Sequence, residues 1–273
     1  MAVSFNISEL KDIADQLTEK LNLPFNQMTH SFLKRRLTEV MDKQGIRKLE
    51  QLFTSLDKQL FRDDLPLLFS VSTTELFRDA SFWRQLRKLI TNMSSADDLQ
   101  IWLPDLASGE ELYSLLILLD EIKCLDGTKV YVNHPSQQAL ENVKQGLLFA
   151  RKMDVNAYNY KRFEGEYKLE NYYEESNSSF VINAALLKQV VFFQEGMLSA
   201  PNGKVDIILL RNRMLYYTKD YHLQLKDTFD RALKPGGLVC LGVKEALPEP
   251  YSERFECIEQ KEKIYSKYSF IKD

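Results

Sequence analysis

The sequence predicts an α/β protein: a largely parallel, Rossmann-like sheet wrapped by helices and preceded by a small all-α segment. Three observations carry that prediction. Short apolar runs at 99–103, 129–132, 189–194, 205–210 and 238–243 alternate with stretches of helical periodicity, the pattern of right-handed crossovers covering both faces of a parallel sheet. Residues 1–70 show helical spacing alone. FECIEQ and KIYSKYSFI flank a polar break at Lys261-Glu262 and read as a terminal antiparallel hairpin.

In residues 1–70, Leu10, Ile13, Ala14 and Leu17 recur at helical spacing, as do Phe32, Leu33, Leu37, Val40 and Met41, then Leu49, Leu52 and Phe53. Ser8 and Thr29 are the expected N-caps and Gly45 a stop. Charges balance there, ten basic against ten acidic, but Lys34, Arg35 and Arg36 adjoin. They form either a solvated helix face or a docking patch. The first strand, LQIWL, ends at Pro104-Asp105, and a helix is expected over 110–123. KVYV leads to a helix opening at Pro135, a residue favoured at the first helical position. QVVFFQ, VDIILL, a helix over 219–233 and LVCLGV after the KPGG turn complete the alternation. Residues 149–188 are too long for a connection within an α/β unit, which commonly takes roughly two to six residues. They predict an inserted subdomain, so the expected division is 1–70 and 71–273.

Composition narrows the function. With 36 basic and 39 acidic residues, the formal charge of −3 leaves no excess to neutralise a nucleic acid. The longest apolar stretch, Leu112 to Leu119, falls short of the ~20 residues of a membrane span. The N-terminus has no basic region before an apolar one, so a cytoplasmic protein, monomeric by expectation, is predicted. Three scattered cysteines and three scattered histidines give no disulfide framework and no metal-ligand spacing, so no metal is expected. No GxGxxG or Walker loop occurs among the 10 glycines, which removes the main signal for nicotinamide, flavin or NTP binding.

Five motifs in order sharpen the reading: STTELFRD (72–79), ASGEELYSL (107–115), LLRNRMLYY (209–217), the turn at 234–237 and LGVKEAL (241–247). Together they resemble the CheR family of chemotaxis receptor methyltransferases, across nearly the whole chain. The resemblance implies a seven-stranded class I methyltransferase sheet, a helical N-terminal domain, an inserted small β-subdomain, S-adenosylmethionine as cofactor and chemoreceptor cytoplasmic helices as partners. By the same resemblance, Ser72, Thr74, Gly109, Glu110, His134, Gly196, Met197, Arg211 and Asn212 line the cofactor. Arg78 stands near the transferable methyl group and Tyr216 over the acceptor, as the catalytic pair, while Lys34, Arg35 and Arg36 face the receptor. Read from the residues alone, the alternatives are Arg78 as a surface arginine paired with Glu75 or Asp79, Tyr216 as a packing aromatic, and one of Glu110 and Glu111 as a helix-dipole acid.

Five positions depart from the family pattern. His134 stands where an acid binds the ribose hydroxyls, with Ser136 beyond it. Gly196 replaces an asparagine beside the adenine, Val243 a histidine, and Leu112 a proline. Losing the carboxylate removes about 1.5–3 kcal/mol, or ~10- to 150-fold in affinity. His134 either accepts from a ribose hydroxyl or caps the following helix. Two functions are therefore expected: glutamate O-methylation, needing no base because a carboxylate is already nucleophilic at neutral pH, or a non-catalytic adaptor that docks on receptors or signalling partners.

Overall fold

The computed structural model describes residues 5–70, 74–93, 98–176 and 179–269. The chain opens with helices α1 (Ile7–Leu21), α2 (His30–Lys43), α3 (Leu49–Leu56) and α4 (Gln59–Phe69). Their apolar stripes close on one core that includes Leu17, Leu33, Leu37, Leu52 and Leu56. The cap of α1 is Asn6 rather than Ser8: Asn6 Oδ1 accepts from Glu9 N at 2.9 Å and Glu9 Oε2 accepts from Asn6 N at 2.8 Å. That reciprocal box satisfies two backbone donors at once, which a lone Ser8 would not. Gly45, at φ +68°, ends α2 as expected.

After α5 (Ala80–Thr91), strands β1 (Gln100–Leu103) and β2 (Lys129–Asn133) alternate with α6 (Glu110–Glu121) and α7 (Gln137–Lys144). Next comes a three-stranded antiparallel sheet of β3 (Leu147–Leu148), β4 (Tyr173–Ser176) and β5 (Ser179–Ile182), in the order β3-β5-β4. This small sheet starts at Leu147, and the segment it spans is not purely β. It carries α8 (Met153–Phe163), whose Phe163 ring stacks on Phe77 at 4.3 Å. The chain returns through β6 (Val190–Phe193), β7 (Val205–Leu210), α9 (Lys219–Ala232), β8 (Leu233–Leu241), β9 (Phe255–Glu259) and β10 (Ile264–Lys267).

The main sheet has seven strands in the order β6-β2-β1-β7-β8-β10-β9. Its first five strands run parallel, and β10 pairs antiparallel with both neighbours. Strand alternation sorts the core into two layers. Ile101, Leu103, Ile207, Leu209 and Cys240 pack with α5 and α6, whereas Trp102, Ile208, Leu210, Val239 and Leu241 pack with α9. The KPGG segment is not a turn ahead of the strand but part of β8, whose register with β7 shifts between Val205 and Ile207. Gly237 permits that approach, because a Cβ there would lie 2.9 Å from the Asp206 carbonyl oxygen. Sequence order reverses between β1 and β7, and the crevice above that reversal, at the strands' carboxyl ends, is where α/β sheets bind ligands.

Candidate functional site

Four loops meet above the switch point. The first leaves β1 through Asp105 and Ala107 to Gly109, which adopts φ +105°. A Cβ there would sit 2.8 Å from the Tyr113 ring, so the sharp entry into α6 requires glycine. Glu110 and Glu111 then point differently. Glu110 is 1% exposed, receives Ser108 Oγ at 2.5 Å and lines no part of the cleft, while Glu111 does. The acid at the crevice is therefore Glu111, not Glu110, because the phase of α6 set by Gly109 turns Glu110 into the interior. Burial raises the carboxyl pKa of both above the ordinary value, and the Arg211 and Arg213 charges oppose that rise at Glu111.

The loop after β7 supplies Arg211, Asn212, Arg213 and Tyr216. The Arg211 side chain is 2% exposed and commits both terminal nitrogens: it pairs with Asp79 at 2.8 Å and Glu111 at 3.3 Å and lies 3.9 Å over the Phe82 ring. It therefore ties the FRD segment to the GEE turn instead of presenting free donors to a ligand. Arg78 is exposed and lines the cleft; neither acid proposed as its surface partner is available, Glu75 pairing with Lys152 and Asp79 with Arg211. Thr74 lines the same wall, its N–H donating to Ser108 Oγ at 3.1 Å, and Ser72 lies outside the described residues. Asn212 adopts a left-handed φ of +57°.

Glu245, which sequence reading passed over inside LGVKEAL, holds this loop in place. Its carboxylate accepts from the backbone N–H groups of Asn212 and Gly242 at 2.7 Å each and of Leu215 at 3.2 Å. The same LGVKEAL stretch provides Gly242, where a Cβ would come within 2.6 Å of Asn212 Oδ1. Glu245→Gln removes the charge and one acceptor, so it is expected to lower stability by about 1–2 kcal/mol. Urea unfolding checks this, and a change below ~0.3 kcal/mol would leave Glu245 without that role.

The loop after β2 carries His134, 1% exposed. Its Nδ1 accepts from Ser136 N at 2.9 Å, and Ser136 Oγ in turn caps α7 by accepting from Ala139 N. The cap of α7 is thus Ser136, and Pro135 stays outside the helix because the His134-Ser136 bond already fixes the turn. Burial lowers the imidazole pKa below 6.5 against the pull of Asp105, so the ring is neutral with its proton on Nε2. His134 consequently offers the cleft a donor, not the acceptor expected from the sequence. Gly196 and Met197, after β6, complete this side. Asn133 fastens that loop, donating to the carbonyls of Gly196 at 3.1 Å and Ser199 at 2.7 Å.

These walls enclose two narrow cavities. One, about 60 Å³, lies between His134, Met197 and Tyr217 below and Phe25, Met28 and Phe69 of the helical segment above. The other, about 40 Å³, is walled by Arg78, Ala107, Glu111 and Arg211. Arg213 and Tyr216 line both and stand between them. The Tyr216 ring stacks on Phe32 at 4.3 Å, and its carbonyl accepts from Thr29 N at 2.8 Å. Met28 bridges Tyr217, so residues 24–28 are latched onto the β7 loop as a roof. The residues fit S-adenosylmethionine in kind: a hydroxyl-binding donor at His134, a close backbone approach at Gly109 and an unpartnered Arg213 Nη2 among the described residues. A ligand of that length would reach from one cavity to the other past Arg213 and Tyr216.

Lys34 and Arg35 are exposed on α2, but Arg36 is not free to join them. It pairs with Glu39 at 2.5 Å and donates to the Ser70 carbonyl. Among the described residues no cluster of potential metal ligands occurs, and no helix is long and apolar enough to cross a membrane.

Comparison with known proteins gives a consistent answer. Residues 72–264 match the model of the CheR methyltransferase, SAM binding domain. The chain is 26% identical over 232 residues to chemotaxis protein methyltransferase Cher2 of Pseudomonas putida, covering 78% of this chain and 80% of that one. It is 25% identical over 227 residues to chemotaxis protein methyltransferase 1 of Pseudomonas aeruginosa, covering 78% and 80% respectively. A chemotaxis protein methyltransferase of Listeria innocua is 24% identical over 237 residues, covering 84% and 87%. With the family model spanning most of the chain and its motifs gathered at the sheet's switch point, the chain belongs to the CheR methyltransferase family, whose cofactor is S-adenosylmethionine.

Proposed function

We propose that this protein methylates glutamate side chains on the cytoplasmic helices of a chemoreceptor, forming methyl esters. The observation that supports this best is the composition of the smaller cavity. Arg78, Arg211 and Arg213 line it beside Tyr216, and no His or Cys does. The acids of the same wall, Glu75 and Glu111, are paired with Lys152 and Arg211, which leaves Arg78 and Arg213 to meet a carboxylate, and a carboxylate acceptor needs no base at neutral pH. When bound, the cofactor supplies an electrophilic methyl group on a sulfonium. Gly196 and Met197 would flank its base, His134 Nε2–H would donate to a ribose hydroxyl, and Glu111 would attract its ammonium group. Arg78, exposed at the rim, orients the incoming carboxylate, and the Tyr216 hydroxyl fixes its approach. Catalysis then rests on proximity and alignment.

In this reading residues 1–70 form a docking domain and Lys34 and Arg35 steer an acidic receptor helix. Lys34→Glu/Arg35→Glu is expected to slow receptor association by roughly 10-fold at low salt, an effect that fades as ionic strength rises. Stopped-flow or surface-plasmon kinetics checks it; an unchanged rate at low salt would leave the pair a solvated face.

One observation favours the adaptor instead. Arg213 Nε pairs with Asp105 at 3.2 Å, and this pair, with Tyr216, divides the crevice. The deciding experiment incubates the protein with methyl-tritiated S-adenosylmethionine and a receptor cytoplasmic fragment. Base-labile label released as methanol is expected. Absence of label under conditions where S-adenosylhomocysteine binds would sink the proposal for that receptor class, and absence of nucleoside binding would leave the adaptor.

A further inference from the structure

We infer that Arg213 is a second carboxylate-recognition residue of the cleft, behind Arg78, offering the unpartnered Nη2 of its guanidinium to an anionic group where the two cavities meet. The inference rests on the methyl-transfer reading for its ligands but not for its geometry. Three arginines line the smaller cavity, and their commitments differ. Arg211 commits both terminal nitrogens to Asp79 and Glu111 and its face to the Phe82 ring, leaving only Nε without a partner. Arg78 is exposed, so water competes for its donors and screens its charge. Arg213 is 5% exposed, its Nε lies 3.2 Å from Asp105, and its Nη2 is buried without a hydrogen-bond partner among the described residues.

A buried guanidinium N–H left unpaired is costly, and of the four such nitrogens among the described residues, on Arg36, Arg87, Arg211 and Arg213, only that of Arg213 belongs to a side chain lining both cavities. Asp105 does more than neutralise the charge. Its ion pair at Nε anchors one side of the guanidinium and leaves Nη2 to donate to a carboxylate oxygen. Because Arg213 lines both cavities, an anion on it lies between the His134 and Met197 side and the Arg78 and Glu111 side. Two sources offer that chemistry: the aminoacyl end of the cofactor and the side chain of the acceptor glutamate.

Isothermal titration of the full chain with two probe pairs separates them. S-adenosylhomocysteine against its decarboxylated analogue reads the first source, and N-acetylglutamate α-amide against N-acetylglutamine α-amide reads the second. The wild type is expected to favour the carboxylate-bearing member of at least one pair by about 10-fold or more. Arg213→Gln should abolish that preference while leaving the neutral probe unchanged, and Arg213→Lys should keep part of it. Asp105→Asn/Arg213→Gln, which leaves no unpaired buried carboxylate, serves if Arg213→Gln does not fold. A preference that survives in the folded variants, or is absent from the wild type in both pairs, overturns the inference. Nucleoside binding without an Arg213-dependent preference would overturn it and leave methyl transfer standing. An Arg213-dependent preference in the glutamate pair alone, with no nucleoside bound, would support it while removing the cofactor from the proposed function.

Discussion

Arg211→Ala is expected to lower the free energy of unfolding by about 3–5 kcal/mol, among the largest effects of any single change in this chain. The reason lies in what remains, since Asp79 and Glu111 would face each other in a mostly buried site with no cation between them. Their side chains are 30% and 20% exposed, so water relieves only part of that repulsion. The substitution also removes the contact over Phe82 and releases the FRD segment from α6. Arg211→Lys should recover less than half of the loss, because an ammonium cannot span both carboxylates and lie flat on a ring. Chemical denaturation at neutral pH checks both variants. A loss under ~1 kcal/mol for Arg211→Ala would class the network with ordinary surface pairs.

The strands were legible because a parallel strand buried on both faces must be apolar throughout. VDIILL, for which all six residues of β7 are buried, is the clearest case. The helical segment was legible for a similar reason, through the 3.6-residue recurrence of Leu10, Ile13, Ala14 and Leu17. Local hydrogen bonding was not. The choice of Asn6 over Ser8, and of Ser136 over Pro135, depends on which side chain closes a backbone bond, and several nearby residues are chemically able to do so. KPGG looked like a turn because Pro and Gly usually punctuate, yet the bulge between β7 and β8 absorbs it.

At the site, motif matching located the right loops, but it could not assign the contacts within them. Glu110 and Glu111 are neighbours of identical type, and only the left-handed Gly109 decides which one faces the crevice. Asp105 and Arg213 are far apart in sequence and meet because β1 and β7 are adjacent in the sheet. That adjacency is a property of strand order, which periodicity does not carry. Glu245 was hidden for the opposite reason: an acid in a loop reads as solvent-facing, and its three backbone donors come from two separate segments.

His134→Asp is expected to tighten S-adenosylhomocysteine, and the local geometry sets how far. The substitution preserves the turn, since an aspartate oxygen accepts from the N–H two residues on, as His134 Nδ1 now does from Ser136. Its second oxygen is then free to accept from the ribose hydroxyls, replacing the Nε2–H donor with a charge-assisted acceptor. That exchange contributes about 1.5–3 kcal/mol in general. Here the gain should fall in the lower half of that range, because the Asp105 charge already acts on this position and a second carboxylate beside it is opposed, with Arg213 offsetting only part. Titrations of wild type and variant at about pH 7.5 isolate the effect, since burial keeps the wild-type imidazole neutral there and no proton uptake contaminates the heat. Tightening by roughly 10-fold in the variant, over detectable wild-type binding, establishes that the crevice still takes the nucleoside. No binding by either protein at millimolar ligand would mean that the Asp105-Arg213 division stays closed, and that the fold serves as a receptor-docking scaffold rather than an enzyme.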